Sequence, residues 1–356
     1  MAKLNKINTL RKAITQSLTK NVGRSSSVPS DFKNKDIKKI LVCRPNGRLG
    51  NLLLVTPLLQ ELKETFPNAK VDLFVKGNLA PILLENYSNV EDIIILPGKP
   101  FKQLFKYIAT WFKLKKNSYD LAINVAPSSS SGRLSTKISS AKHKVYGELC
   151  DAIQKEYDDH VHIAKHPVYA LRDYIDYSGM NVSERPIHCL NLKLDEKEME
   201  NGRKILKDLM ENDKKTICIF TYATGEKCYT ESWWEEMYTS LLTTFPDYNI
   251  IEVLPKENIS QISFRATSFY SRDLREIGAL ISQTEVFIGA DSGMMHLASS
   301  VDTPTLGLFS ITDHKVYAPY NNQSIAKNTN SCSVEDCIED IKEILKCKEE
   351  QFSVAL

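Results

Sequence analysis

Short apolar runs that alternate with amphipathic helical segments are the feature that most constrains the fold of this 356-residue chain. Runs of this length, bounded by polar turns, are typical of buried strands. One series occupies the first half of the chain, and a second begins near residue 216. The runs lie at 38–44, 70–75, 92–97, 120–127 and 144–147, and then at 216–222, 249–255, 261–266, 285–290 and 303–310. Strands that alternate with helices predict an α/β fold with parallel, doubly wound sheets.

Two such series predict two Rossmann-like domains, with ligands bound in a cleft between them at the carboxyl ends of the strands. We place the first domain at residues 37–185 and the second at 186–332, and we expect residues 333–356 to form a helix that returns to the first domain. Residues 1–36 are predicted to form a basic amphipathic helix, within residues 1–20, and a polar linker. That helix can lie on an anionic membrane surface or pack on its own domain, and the sequence leaves both possibilities open.

The net charge of +2 combines a basic half with an acidic half. Residues 1–150 hold 25 Lys and Arg against 10 Asp and Glu, whereas residues 151–356 hold 21 against 34. A block of one sign indicates an anionic partner for the first half.

No apolar stretch approaches the roughly 20 residues of a membrane span, and the N-terminus lacks the apolar core of a secretory signal. The eight cysteines form no CxxC pair. These features predict a cytoplasmic protein.

The segment FIGADSGMMHLASS (287–300) joins a predicted strand to a predicted helix through small polar residues. Asp291 is expected to cap the helix, while Ser292 and Gly293 offer backbone N–H groups at its positive end. Such a terminus binds anions, and His296 lies about one turn further on. An ordinary capped helix with a core histidine is the alternative for this segment taken alone.

A second loop of small residues, TYATGEKCYT (221–230), follows the first strand of the second series and contains Lys227. This lysine would neutralise a diphosphate held by the amides of Ser292 and Gly293; a solvated loop lysine is the alternative.

The turn RPNGRLGN (44–51) after the first strand of the chain also contains glycines, but only two residues separate Gly47 from Gly50. The GxGxxG fingerprint of dinucleotide binding is therefore absent, which disfavours a nicotinamide-dependent dehydrogenase. Gly50 is instead expected to let this turn reach the ligand cleft.

Together these motifs resemble the ADP-heptose:lipopolysaccharide heptosyltransferase family, glycosyltransferase family 9, over about residues 38–345. The specific part is Asp-Ser-Gly, two residues, His-Leu and a small residue, which stands here as DSGMMHLASSVDTPTLGLF. ILVCRPNGRLGNLLLVTPLLQEL and SCSVEDCIEDIKEIL match the family's first-domain and final-helix patterns. The resemblance implies a GT-B fold and inverting, metal-independent transfer of heptose, or a related sugar, from a nucleotide diphosphate such as ADP-heptose to a lipopolysaccharide core or other surface glycan.

The resemblance also implies roles for individual residues of the second domain. Ser292, Gly293 and Lys227 would hold the donor phosphates, and Asp291 and His296 would lie at the donor sugar and diphosphate. Three further donor-binding candidates are Thr224 for a phosphate, Glu257 for the ribose hydroxyls and Arg272 near the base pocket.

Asn51 departs from the family pattern, which usually has Asp after the glycine at position 50 as the base that deprotonates the acceptor hydroxyl. An amide has no useful basicity. The acceptor could be deprotonated by another group or by water, with catalysis mainly from stabilisation of the leaving diphosphate, or the enzyme could use an unusual acceptor. The protein could also have lost catalysis while it still binds a nucleotide sugar or glycan. A related enzyme with another nucleotide sugar is a further alternative.

Basic residues of the first half are candidates for binding an anionic glycolipid or glycan acceptor: Arg44, Arg48, Arg133, Lys137 and Lys142. We expect no cofactor, no metal and no nucleic-acid partner, and a cytoplasmic location that includes peripheral contact with the inner face of the membrane. The histidines of HVHIAKH (160–166) could bind a metal by spacing, but a solvated face is the favoured interpretation.

Overall fold

Two parallel sheets organise the chain in the computed structural model, which describes residues 22–23, 36–98, 102–177, 185–320 and 323–355. The predicted α/β class is confirmed, since every paired strand runs parallel to its neighbour and helices connect most of the strands. The predicted amphipathic helix at residues 1–20 lies outside the described residues. Among those residues, no helix is both long and apolar enough to span a bilayer.

The first sheet has five strands: β1 (Lys39–Arg44), β2 (Lys70–Lys76), β3 (Val90–Leu96), β4 (Ser118–Asn124) and β5 (Ser140–Val145). Their order is β3-β2-β1-β4-β5. The helices along this part of the chain are α1 (Leu49–Leu53), α2 (Thr56–Thr65), α3 (Ala80–Leu83), α4 (Leu104–Lys116), α5 (Ser130–Ile138), α6 (Asp151–Glu156) and α7 (His166–Tyr177). A short 3-10 helix at Asp158–Val161 precedes α7.

The second sheet has six strands: β6 (Thr216–Phe220), β7 (Asn249–Val253), β8 (Thr267–Phe269), β9 (Val286–Ala290), β10 (Thr305–Phe309) and β11 (Ile325–Asn328). Their order is β8-β7-β6-β9-β10-β11, so the direction of winding reverses between β6 and β9. The helices are α8 (Glu196–Met210), α9 (Glu231–Thr244), α10 (Leu274–Ile281), α11 (Gly293–Ser299), α12 (His314–Tyr317) and α13 (Val334–Ala355). In such sheets, ligands bind at the carboxyl ends of the strands where the winding reverses.

The predicted strand at 261–266 is wrong, because this segment is a turn and β8 begins only at Thr267. Ser263 and Phe264 have φ angles of 53° and 57°, which are outside the range of strands. The Ser260 hydroxyl accepts hydrogen bonds from the backbone N–H groups of Ile262 and Phe264 and holds the turn closed. A local side-chain bond of this kind competes with strand formation.

Contacts between residues divide the chain into two compact units, and the second takes in more of the sequence than predicted. It comprises residues 48–56, 82–86 and 189–356. Arg275 helps to hold residues 82–86 there, since its guanidinium pairs with Glu85 at 2.7 Å and donates to the Ile82 carbonyl at 3.4 Å.

Helix α13 packs within the second unit, which corrects the expectation that residues 333–356 return to the first domain. The helix places an apolar face against the core formed by α9, β6, β9 and β10. Its buried residues are Val334, Cys337, Ile338, Ile341, Ile344 and Leu345. Their helical spacing predicts that the helix buries one face, but the nearest apolar partners belong to the sheet that immediately precedes it in the chain.

Replacement of Glu252 with glutamine is expected to stabilise the protein at high pH. The Glu252 carboxylate is fully buried on β7 and accepts hydrogen bonds from Thr221 at 2.6 Å and Ser260 at 2.7 Å. Burial raises the pKa of this carboxyl above its ordinary value of 4.5. As the pH rises through 4.5, the unfolded chain therefore loses its proton first, and the wild type loses stability.

The gain in the free energy of unfolding of Glu252→Gln over wild type should grow as pH rises above 4.5 and disappear below it. Urea unfolding at about pH 4 and pH 8 measures it. Glu257→Gln, at an exposed site in the next loop, controls for the loss of one negative charge. A gain that is equal at both pH values would contradict the assignment.

Candidate functional site

Three loops of the second unit converge on the carboxylate of Asp291. Strands β6 and β9 are neighbours in the sheet, so the loops at their carboxyl ends meet at one edge. The loop after β6 forms a 3-10 helix at Gly225–Lys227, and the Lys227 ammonium pairs with Oδ2 of Asp291. Thr312, from the loop after β10, donates its hydroxyl to the same oxygen. This cluster lies where the winding of the second sheet reverses.

The cluster combines a buried anion with an accessible cation. The Asp291 side chain is 7% exposed, whereas that of Lys227 is 35% exposed. An ammonium group has three N–H donors, so Lys227 can keep its contact with Asp291 and still donate to an anion from solvent. The carboxylate fixes the lysine in place, and the lysine supplies a positive charge at the sheet edge. The sequence predicts that the loops of Lys227 and Asp291 meet, but it gives no signal for Thr312.

Helix α11 is capped by Ser292 and not, as predicted, by Asp291. Ser292 has extended backbone angles (φ −149°, ψ 173°), and its hydroxyl accepts a hydrogen bond from Met295 N at 3.4 Å. Asp291 lies one residue before the cap and directs its carboxylate to Lys227. The first N–H groups of the helix, from Gly293 onward, have no carbonyl four residues earlier within the helix.

Two glycines allow α1 to pack closely on α11. A Cβ atom added at Gly50 would lie 2.5 Å from Cδ2 of His296, and one added at Gly293 would lie 2.9 Å from Cβ of Leu49. His296 is only 4% exposed, so it packs as a core histidine, which is the alternative that the sequence left open for this segment. Asn51 follows Gly50 on α1 and is half-buried. The catalytic candidates Gly50 and Asn51 therefore lie on α1, which packs against α11, the helix that follows Asp291.

Gly50→Ala is expected to lower the free energy of unfolding by about 1–3 kcal/mol, which is the usual cost of forcing a methyl group into a packed core. The new methyl group would collide with the His296 ring, and α1 would have to move away from α11 to remove this clash. Chemical denaturation measures the change. Gly98→Ala is the matched control, because a Cβ atom there meets nothing within 4 Å. Equal stability of the two variants would show that α1 does not pack as described.

Glu257 and Arg272 lie in the exposed loops after β7 and β8, and Tyr270 connects them. The Tyr270 hydroxyl accepts a hydrogen bond from Arg272 Nε at 3.1 Å and donates to the Lys256 carbonyl at 3.5 Å. Arg272 lies two residues before helix α10, which begins at Leu274. Thr224 is exposed beside Gly225, in the same loop as Lys227. The donor-binding candidates that follow strands β6, β7 and β8 at their carboxyl ends are therefore Thr224, Lys227, Glu257 and Arg272. The sequence gives no signal for Tyr270.

The acceptor candidates differ in exposure. Arg48 is exposed, whereas Arg44 is 6% exposed at the end of β1. Arg133 is 5% exposed and its guanidinium is engaged within the first unit: it donates to the carbonyls of Val22 at 3.0 Å and Gly23 at 2.6 Å. It also donates to the carbonyl of Pro127 and the carboxylate of Glu148. These bonds make Arg133 a structural residue, and Lys142 is likewise paired, with Asp120 at 2.9 Å.

The histidines of the HVHIAKH segment form neither a solvated face nor a metal cluster. Nδ1 of His160 hydrogen-bonds to the Tyr157 carbonyl at 2.8 Å, and Nδ1 of His166 to the His160 carbonyl at 3.0 Å. His162 is 3% exposed and accepts a bond from Ala164 N at 3.3 Å. The predicted solvated face is therefore wrong, because these rings form hydrogen bonds with backbone groups of the segment that leads into α7.

Among the described residues, one group of side chains has potential ligand atoms that lie close enough together to hold a metal ion. Ligand atoms of Glu61, Glu64 and His188 lie within 4.8 Å of one another. Arg172 donates two bonds of 2.8 Å to Glu61, and Arg185 pairs with Glu64 at 2.8 Å. Two guanidinium groups therefore already balance the charge of these carboxylates.

Comparison with known proteins gives consistent matches. The family model described as glycosyltransferase family 9 (heptosyltransferase) matches residues 108–345. Lipopolysaccharide heptosyltransferase 3 of Escherichia coli is 25% identical over 302 residues, which cover 78% of this chain and 84% of that protein. Lipopolysaccharide core heptosyltransferase OpsX of Haemophilus influenzae is 21% identical over 294 residues, which cover 77% and 80%.

Two solved structures share the fold. The glycosyl transferase family 9 structure from Veillonella parvula aligns with a TM-score of 0.68 at 16% identity, over 90% of this chain and 99% of that one. The E. coli ADP-heptose lps heptosyltransferase II aligns with a TM-score of 0.61 at 15% identity, over 87% and 99%. The predicted GT-B fold with two Rossmann-like domains is confirmed.

Proposed function

The chain belongs to glycosyltransferase family 9 and is a glycosyltransferase, and from this premise we propose that it moves heptose, or a related sugar, from ADP-heptose to a lipopolysaccharide core or another surface glycan. The names of its relatives, lipopolysaccharide heptosyltransferase 3 and OpsX, support this substrate class. The observation that carries the proposal is the convergence of Lys227, Asp291 and Thr312 at the edge where the second sheet reverses its winding.

In the proposed reaction, the donor diphosphate lies against the Lys227 ammonium and the first amides of α11, at Gly293. The bond between the sugar's anomeric carbon and the diphosphate oxygen breaks, and its electron pair goes to ADP. Lys227 stabilises the negative charge that develops on the leaving phosphate. Asp291 and Thr312 act as positioning residues, because their contacts hold the lysine and its counter-charge in one arrangement.

The acceptor hydroxyl attacks from the face opposite the leaving ADP, which inverts the anomeric configuration. Asn51 cannot accept the hydroxyl proton, so the proton passes to water, and stabilisation of the leaving group provides most of the catalysis. A lysine supplies the positive charge that a metal ion would otherwise give, and we propose that transfer is metal-independent.

We propose that the loops after β7 and β8 bind the nucleoside. The Glu257 carboxylate would accept bonds from the ribose hydroxyls, while Tyr270 and Arg272 would lie at the base. On the acceptor side, the exposed Arg48 is the candidate for contact with an anionic glycan, and Arg44 would contribute from the end of β1. The reaction would take place in the cytoplasm or at the cytoplasmic face of the inner membrane.

Release of ADP from ADP-heptose in the presence of a heptose-deficient lipopolysaccharide core tests the proposal. We expect acceptor-dependent ADP release that persists in EDTA. ADP-glucose and UDP-glucose serve as donor controls, because a preference for either would assign a related enzyme with another nucleotide sugar. Loss of activity in EDTA, with recovery on addition of one metal, would contradict metal independence.

A second candidate function is favoured by Asn51 alone: a protein that binds the nucleotide sugar without transferring the sugar. A rise in melting temperature with ADP-heptose, together with no ADP release with any acceptor tested, would support this function over transfer.

A further inference from the structure

Helix α4 carries two apolar faces, and only one of them is covered by the first unit. The covered face packs on the core of the first sheet. Its residues are Tyr107, Thr110, Trp111 and Leu114. The outer face contains four large apolar side chains: Leu104 is 51% exposed, Phe105 89%, Ile108 43% and Phe112 67%.

The outer residues form a continuous patch. Leu104, Ile108 and Phe112 recur every four residues, so they lie along one line of the helix, and Phe105 lies beside that line. A single exposed apolar residue is common on a protein surface, but a contiguous patch of this kind marks an interaction site. The core packing of α4 does not explain these residues, since Tyr107, Trp111 and Leu114 already anchor the helix.

The charged residues of the chain segment that carries this patch have one sign. Residues 99–117 contain six lysines and no Asp or Glu. Lys102, Lys106, Lys115 and Lys116 are exposed, and Lys113 pairs with Asp92 at 2.6 Å. An apolar stripe with aromatic residues that is bordered by lysines is the pattern of a helix that lies in the headgroup region of an anionic membrane.

We propose that the outer face of α4 docks on an anionic lipid bilayer, with the helix parallel to the membrane plane. A helix of 13 residues measures about 20 Å, which is shorter than the ~30 Å hydrocarbon core. The phenylalanines enter the headgroup boundary, and the lysines pair with lipid phosphates. Lipid fits this face better than a second copy of the chain does, because two lysine-rich faces would repel each other.

Sedimentation of the full-length chain with lipid vesicles tests this surface. We expect binding to vesicles of phosphatidylglycerol and phosphatidylethanolamine, weaker binding to phosphatidylcholine alone, and loss of binding with added salt. The double variant F105S/F112S should lower the partition coefficient by about tenfold or more, and Lys102→Gln with Lys106→Gln by a similar factor. No donor or acceptor is present, so the result is independent of the proposed reaction.

The matched control is Met199→Ser with Leu242→Ser, which removes two apolar side chains that are 40% and 47% exposed on other helices. It should bind vesicles as the wild type does, and thermal unfolding checks that every variant is folded. Vesicle binding by F105S/F112S equal to that of the wild type would overturn the proposal, and so would absence of binding by the wild type. A wild-type dimer that F105S/F112S converts to a monomer, without a change in vesicle binding, would assign the face to a second copy instead.

Discussion

Lys227→Ala is expected to lower kcat/KM for sugar transfer by about 10²–10³-fold, the usual effect of removing one donor that stabilises a developing anion. The lysine is the cation of the loop after β6, and its ammonium is held by Asp291 beside the N-terminus of α11. Without it, the leaving diphosphate would lose its only side-chain counter-charge among the residues assigned to the phosphate. Initial rates of ADP release over a range of donor concentrations measure the change.

Lys204→Ala is the matched control, because this exposed lysine of the second unit lies on α8 and carries no proposed role. It should leave kcat/KM within about twofold of wild type. Lys227→Ala also leaves the buried Asp291 without its ammonium partner, so the melting temperature of the variant must be compared with that of the wild type. A folded Lys227→Ala protein with wild-type kinetics would remove the phosphate assignment.

Asn51→Asp is expected to raise kcat at pH 7 by up to about 10²-fold, the lower limit of what a positioned general base contributes. Position 51 follows Gly50, which contacts His296, so a carboxylate there would lie on the helix that packs against α11. Because the amide is not a base, Asn51→Ala should differ little from the wild type. Transfer rates at saturating donor separate this effect from a change in binding.

The outcome for Asn51→Asp distinguishes two accounts of the protein. A gain in rate supports transfer that proceeds without a side-chain base in the wild type. A variant that binds ADP normally and shows no gain over the wild type would place the reacting hydroxyl away from position 51.

The fold could be predicted because the strands next to the point of reversal are continuous apolar runs. Strands β6 and β9 are buried along their whole length, so both stand out in the sequence. The segment at 261–266, QISFRA, alternates polar with apolar residues as a half-buried strand does, but it forms a turn in which Ser260 bonds to the backbone. The Ser260 hydroxyl stabilises the turn there, and a pattern of apolar residues carries no information about such a bond.

The meeting of Lys227 with Asp291 could also be predicted, since both follow adjacent strands of a parallel sheet. Thr312 and Tyr270 could not, because each is an ordinary loop residue whose role depends on where its loop folds back. The close contact of Gly50 with His296 needed the tertiary structure as well, since nearly 250 residues separate them in the sequence.

The most direct test of the diphosphate assignment is a crystal structure of the chain with ADP, from which the distance between Lys227 Nζ and the nearest phosphate oxygen is measured. We expect about 2.7–3.0 Å, as in other charge-assisted hydrogen bonds, with the phosphate also facing the first amides of α11. The account would be contradicted if ADP bound with its phosphates elsewhere while Lys227 remained paired with Asp291 and Thr312 remained bonded to Asp291.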